Sequence, residues 1–550
     1  MDALKQSTPV RVFLLLFAVA IFTAACGGGG GTSGERIKGG TIRVEESEPD
    51  SLDANTADDS EQIVIEHQLY RGLVDYNNTT AKVQPAVAEK WDVNANATEF
   101  TFHLRKSAVF SNGEPCDAQA FVRGWSRATS KALASPVAYH AAGIKGFADQ
   151  QSGKTTTLSG IEAVDATTFK VTLAAPDGDF VVRTGHPVFS PAPKEETIAG
   201  QKPSWAENPI GNGPFMMKEA QKHNQVISLV PNLKYYGAKP FAAEVDYKII
   251  ADFDTAYTEW SAGNLDFTRI PPEKFKEAKA ANPGKYIIRP TAGINYISLN
   301  ILNGADKNAD FRKAASLAVD RQAISNAAFS GLNVPATGII PPALPGYRKP
   351  DASGVGPCKF CRYDPTQAKQ LFTSSGVSKT TPILLSFNGG AGHEIWMQAV
   401  AKQLETNLGV KTKLEAFQPF SKFITFRNGA AANGLMRNAW GMDYPTPDNF
   451  LYPLFDSRSD SIKAGGDNST HYNNPAFDKL IDQARAETDT AKRLKNYQDA
   501  EDLVLADMPV IPMWWRTQFR LAALDKWGGL AMNAFEEPTV ETAFLKKAST

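Results

Sequence analysis

The stretch ILLSFNGGAGHEIWMQAVAKQLETNLGVKTKLEA (383–416) decides the fold. Ile383–Phe387 is a mostly apolar run of strand length, interrupted only by Ser386 and bounded by Asn388-Gly389-Gly390, a turn signal. His393–Leu408 follows with helical spacing, and Gly409 stands where a left-handed residue stops a helix. Val410, Thr412, Leu414 and Ala416 then alternate with polar residues along a second strand. Strand, helix and strand in this order predict a βαβ unit, hence an α/β architecture with a parallel or mixed sheet.

Working outward, alternating patterns at Phe100/Phe102/Leu104, Phe169/Val171/Leu173 and Val245/Tyr247/Ile249 predict strands in the N-terminal half. Helices dominate later. Asp310 is expected to cap a helix burying Phe311, Ala315, Ala318 and Val319. Asn474-Pro475 is a stronger start, a capping Asn followed by Pro at the first helical position. Phe477, Leu480, Ile481 and Ala484 continue it at i, i+3, i+4, i+7. No repeat of 20–50 residues is visible.

The chain has 550 residues with 58 Lys+Arg against 59 Asp+Glu, a net charge of −1. That balance argues against a basic nucleic-acid binder and an acidic disordered chain, and 42% hydrophobic residues argue for folding. Val12–Ala25 (VFLLLFAVAIFTAA), behind Lys5 and Arg11, is shorter than the about 20 residues that span a bilayer and suits a secretory signal. Small residues then precede Cys26 as in a bacterial lipobox. The expectation is a signal peptide over 1–25, a lipidated Cys26 and a glycine-rich tether over 26–38.

Of the other cysteines, Cys358 and Cys361 form a CxxC without a second pair to complete a zinc site, and in an exported chain a local disulfide is the better reading. Cys116 is left unpaired. Catalytic motifs fail on context. Ala148-x₄-Gly153-Lys154-Thr155 lacks the helix a phosphate loop needs, and His393-Glu394 has Met397 where a zinc protease has its second His. No G-x-S-x-G occurs, and the seven His show no metal-like clustering. Neither an enzyme, a metal nor a cofactor is indicated.

The chain resembles the extracytoplasmic oligopeptide- and dipeptide-binding proteins of ABC importers, solute-binding family 5, from about Thr41 to Phe519. The likeness rests on EKWDVNANATEFTFHLRKSAVFSNGEP (89–115), NGPFMMKEA (212–220), VPNLKYYG (230–237), DFRKAASLAVDRQAI (310–324) and YDPTQAKQLFTSSG (363–376). It continues through NAWGMDYPTPDNFL (438–451), HYNNPAFDKLIDQA (471–484) and MPVIPMWW (508–515), all in family order. The resemblance implies a two-lobed fold of the type II periplasmic-binding-protein class, hinged around a ligand cleft. The expected parts are lobe I (39–72, 205–291 and 515–550), a subdomain of that lobe (73–204) and lobe II (292–514).

It also implies site residues. Oligopeptide binders hold the ligand's ammonium on the acid of a W-x-x-D motif, here Trp440-Gly441-Met442-Asp443, so Asp443 is the expected anchor. The family's cations for the peptide carboxylate fall on Arg437, Arg427 and His393; the tract between His393 and Arg427 runs about two residues longer than in relatives. Trp440, Phe420, Trp260 and Tyr139 are candidate pocket walls. A disulfide that some relatives form beside the motif cannot form, because Gly441 stands where they have Cys. The resulting expectation is a monomeric, non-enzymatic receptor, lipid-anchored on the outer face of the cell membrane, that passes peptides to an ABC permease with its ATPase subunits. The alternatives are another solute (a metal chelate, haem or a sugar), or a peptide-sensing lipoprotein.

Overall fold

The computed structural model describes residues 36–547, apart from 58, 196–202, 353, 390–391, 419 and 464–465. The expected signal peptide (1–25), the lipidation site Cys26 and residues 27–35 of the tether lie outside the described residues.

The βαβ unit is present as read. Strands Ile383–Asn388 and Thr412–Phe417 pair in parallel, from Ile383 beside Thr412 to Asn388 beside Phe417. Helix His393–Leu408 lies between them in sequence and buries Trp396, Met397, Val400, Ala401, Leu404 and Leu408. That spacing of three and four turns one apolar stripe onto the sheet. Gly409, at φ 73°, ends the helix in the left-handed conformation.

From this unit one mixed sheet runs through the molecule. Ile383–Asn388 pairs with Leu435–Gly441, which pairs with Tyr286–Ser298, then Val510–Ala522. The sheet continues through Phe267–Thr268, Thr41–Glu46, Glu244–Ile249 and Ile227–Pro231 to Phe215–Met217. Tyr286–Ser298 and Val510–Ala522 have 13 residues each, so at about 3.3 Å per residue each is long enough to serve two lobes. Their pairing is interrupted midway. Tyr286–Pro290 matches Leu521–Thr517 and Ile294–Ser298 matches Trp515–Val510, which leaves Thr291–Gly293 opposite Arg516. A separate antiparallel sheet is formed by Ala88–Val93, Glu99–Leu104, Thr168–Thr172 and Ile161–Asp165.

Burial follows the same division. One core gathers residues from Ala292 to Trp515, a second residues from Leu73 to Phe189. A third joins Ile42, Val44 and Leu69 to Phe215, Tyr247, Trp527 and Val540, segments far apart in sequence. The first and third cores are therefore distinct, and Tyr286–Ser298 and Val510–Ala522 lie between them in the sheet.

Asp310 is not the cap it was expected to be. Asn308 accepts from the Phe311 backbone N–H at 3.1 Å, so the helix starts at Ala309 and Asp310 lies in its first turn, where a negative charge still suits the helix dipole. Asn474 caps the helix Pro475–Ala486 as expected. Cys358 and Cys361 are joined by a disulfide, and Cys116 is fully buried beside Asn212. Around Gly153 the helix Phe147–Gln151 precedes the loop and none starts at Thr155, so no backbone N–H fan faces a phosphate.

One buried ionic network ties the second core to the first. Asp448 accepts from Arg485 Nε at 2.8 Å, from Arg183 at 3.1 Å and from the Tyr444 hydroxyl at 2.9 Å. Arg183 also pairs with Asp177 at 2.7 Å, and the Tyr497 hydroxyl donates to Asp179 at 2.8 Å. Asp177, Asp179 and Arg183 come from the 73–189 unit; their partners come from helices Asp448–Phe455, Pro475–Ala486 and Thr490–Asp507.

Candidate functional site

A cavity of about 1300 Å³ lies where the crossing strands, the βαβ unit and the N-terminal units meet. Ordinary small-molecule sites occupy roughly 300–1,000 Å³, so this space suits something larger. Its wall includes Tyr139, His393, Arg427, Arg437, Trp440 and Asp443.

Asp443 follows strand Leu435–Gly441 and is oriented by Asn449, the second residue of the next helix. The Asn449 side chain donates to Asp443 Oδ2 at 2.8 Å and accepts from the Asp443 backbone N–H at 2.9 Å and from the Trp440 indole at 3.4 Å. Asn449 is itself fully buried, so this clamp is rigid. No cation among the described residues pairs with Asp443. Burial pushes its carboxyl up to about 7, with Asn449 pulling it down and Asp467 pushing further. A half-buried carboxylate without a counter-ion is costly to maintain.

The opposite imbalance sits six residues earlier, within strand Leu435–Gly441. The Arg437 guanidinium has no carboxylate partner among the described residues, and its Nε is buried with no hydrogen bond. Burial lowers it to about 10, helped by repulsion from Arg427 and Arg516. Arg427, at the end of helix Phe420–Arg427, donates to Asn438 at 2.7 Å and Asn428 at 3.0 Å, both neutral. His393 is held neutral, near 3, by burial and by Arg437. Its Nδ1 accepts the Trp396 indole N–H at 3.1 Å, which places the ring proton on Nε2. The result is two guanidiniums and a neutral donor with no acid bound among them, on a wall shared with an acid that has no cation.

Trp260 and Phe420 do not belong to this wall. Trp260 packs with Leu265, Ile270, Phe519 and Leu521, and its indole donates to Asn282 at 2.9 Å; it is a core residue. Phe420 is 51% exposed, beside Phe423. It stands seven residues before Arg427, about 10 Å along the helix at 1.5 Å per residue, so only the last turn (Ile424, Arg427, Asn428) reaches the cavity. Tyr139 lines the cavity against His140, at 4.3 Å between ring centroids.

Several wall residues lay beyond the sequence reading. Asp467 comes from a loop, Arg516 directly follows the MPVIPMWW segment, and Glu536 comes from the C-terminal segment. Arg516 carried a signal, since a charged residue directly after the apolar run Val510–Trp515 of the same strand needs a polar neighbour. Glu536 gave none.

With a large cleft whose wall carries unanswered charges of both signs, the arrangement is that of a binding protein. The chain belongs to the bacterial extracellular solute-binding proteins, family 5. Residues 82–461 match the middle region of that family, whose members bind solutes and are not enzymes. The chain is 30% identical over 488 residues to the periplasmic murein peptide-binding protein MppA of Escherichia coli (strain K12), across 87% of this chain and 88% of that protein. It is 29% identical over 493 residues to the probable deoxycholate-binding periplasmic protein YgiS of the same strain, across 86% and 88%. The crystal structure of Haemophilus influenzae OppA in complex with RPPGFSPFR matches with a TM-score of 0.76 at 25% identity, covering 93% of this chain and 100% of that one. No helix among the described residues is long and apolar enough to cross a membrane.

Proposed function

We propose that this family 5 protein is a lipid-anchored receptor, held outside the cytoplasmic membrane by Cys26, that encloses peptides and delivers them to an ABC permease. The observation that carries the peptide reading is the pair of opposite, unanswered charges on one wall, Asp443 and Arg437 with Arg427. In an extended peptide the ammonium and carboxylate complement them, each by a charge-assisted hydrogen bond. Neutral His393 adds an N–H donor for the carboxylate, and Trp440 and Tyr139 flank the side chains. Six residues at about 3.3 Å set an upper separation of roughly 20 Å, which favours short peptides. An acid without a cationic end, such as the bile acid in YgiS's name, would satisfy Arg437 and leave Asp443 unpaired.

Lobe I is assigned to 39–72, 205–291 and 515–550, its subdomain to 73–204 and lobe II to 292–514; the separate cores support this division. Closure about the long strands then depends on how much better ligand binds the closed form than the open one. Thermal melts against pooled di- to hexapeptides test the binding reading. Stabilisation of about 2.7 kcal/mol is expected once peptide stands 100-fold above its Kd; no shift with any pool refutes it. Uptake of a labelled tripeptide in a deletion strain tests delivery. Wild type should restore uptake and Cys26→Ser should not, and undiminished uptake in the deletion strain would contradict the transport role.

A further inference from the structure

One guanidinium in the cavity is not needed for either end of a peptide. Gly293 and Gly441 face each other across the ladder between Tyr286–Ser298 and Leu435–Gly441. Neither has positive φ, so no turn demands glycine there. A Cβ on Gly293 would stand 2.2 Å from Nε of Arg516, and one on Gly441 2.8 Å from a terminal nitrogen of the same side chain. The glycine pair is the floor on which the Arg516 guanidinium lies, at the break in the crossing-strand ladder.

Its position is built from outside the strands. Glu536, in the left-handed conformation at φ 72°, reaches in from the C-terminal segment. Its Oε1 accepts from Thr291 at 2.7 Å and lies 3.2 Å from Arg516, while its Oε2 accepts from Gln518 at 2.5 Å. One carboxylate thus serves three donor groups. A guanidinium carries five N–H donors, and Glu536 is the one ion-pair partner of Arg516 among the described residues; the Arg516 Nε is buried without a hydrogen bond. Its charge is still felt at Arg437, which it helps to depress.

We propose that Arg516 makes the cleft select peptides with an acidic side chain near the amino end, its guanidinium receiving that carboxylate. This rests on the peptide reading above. Gly441 precedes Asp443 by two residues and follows Arg437 by four. At about 3.3 Å per residue, Gly441, against which the Arg516 guanidinium lies, stands at most roughly 7 Å from Asp443 and 13 Å from Arg437 along the backbone. An extended ligand presents its second residue there. A bond to a ligand main-chain carbonyl would use the same donors but would not discriminate Glu from Gln, so charge separates the two.

Calorimetric titration of Ala-Glu-Ala, Ala-Gln-Ala and Ala-Lys-Ala into wild type, Arg516→Gln and Glu536→Gln tests this. Wild type should bind the Glu peptide about tenfold or more tighter than the Gln peptide, with Lys weakest. Arg516→Gln should bring the Glu/Gln ratio to about one. Glu536→Gln, which frees Arg516 from its acid, should keep the ratio or raise it. Equal binding of Glu and Gln peptides by wild type overturns the proposal, as does an unchanged ratio in an Arg516→Gln protein that melts normally. If none of the three binds wild type the peptide reading itself fails, whereas similar binding of all three removes only the selection.

Discussion

Asp443→Asn should make the ligand-free protein more stable at pH 8 while removing much of its affinity for peptides. The carboxyl is raised from 3.8 to about 7, burial being the largest cause. A rise of roughly three units corresponds to ~4 kcal/mol at 1.36 kcal/mol per unit; hydration of a half-buried group reduces this to about 1–3 kcal/mol. The sign follows from proton linkage. The folded state holds this proton more tightly than the unfolded chain, so the penalty is absent below about pH 4 and complete above about 7. The amide keeps the shape and can still accept from Asn449, so the variant gains stability at pH 8 and nothing at pH 4. Binding moves the opposite way, because the peptide ammonium loses its counter-ion at a cost of about 2–5 kcal/mol. Wild-type affinity should also fall by up to about tenfold per pH unit below 7, as the proton competes with the ammonium, and the variant should show no such slope. Urea unfolding at pH 4, 6 and 8 with titration of tri-alanine at each pH measures all of this. A variant less stable than wild type at pH 8, or one that binds tri-alanine normally, refutes the reasoning.

Arg437→Met should weaken binding of a free-acid tripeptide by about 2–5 kcal/mol and leave its C-terminal amide unaffected; equal losses for both in titration would take Arg437 out of the carboxylate site. Asp448→Ala should destabilise the fold by about 3–5 kcal/mol, because Arg485 would lose its ion-pair partner and Arg183 would keep only Asp177; a change in urea midpoint equivalent to less than 1 kcal/mol would show that the network is not buried. Trp260→Leu should lower stability by about 1–3 kcal/mol through lost packing and the lost bond to Asn282 while peptide Kd stays the same; altered Kd without altered melting would return Trp260 to the site.

Much of the fold was legible because local rules coincide there. In 383–416 the switch from period 2 to period 3.6, and Gly409 at the helix end, each carry their own physical cause, and the tertiary structure keeps them. The Asp310 reading failed by two residues because Asn308 competes for the same role and either side chain caps well. Trp260 illustrates a different limit. An aromatic on an amphipathic helix reads alike whether it faces a core or a cleft, and only the long-range placement of Phe519 and Leu521 decides. Arg437, Trp440 and Asp443 were visible because one contiguous segment holds them. Arg516 and Glu536 meet across strands joined by distant segments, and the vacancy that accommodates Arg516 is two glycines 148 positions apart, invisible until register is known.

The central claim is that both ends of a peptide are recognised, one by Asp443 and the other by Arg437 with Arg427. Calorimetric titration of one tripeptide in four forms, free, N-acetylated, C-amidated and doubly capped, tests it most directly. The account predicts a loss of about 30-fold or more for each single cap, roughly 2 kcal/mol, and no measurable binding of the doubly capped peptide. Undiminished binding of either singly capped form would contradict it.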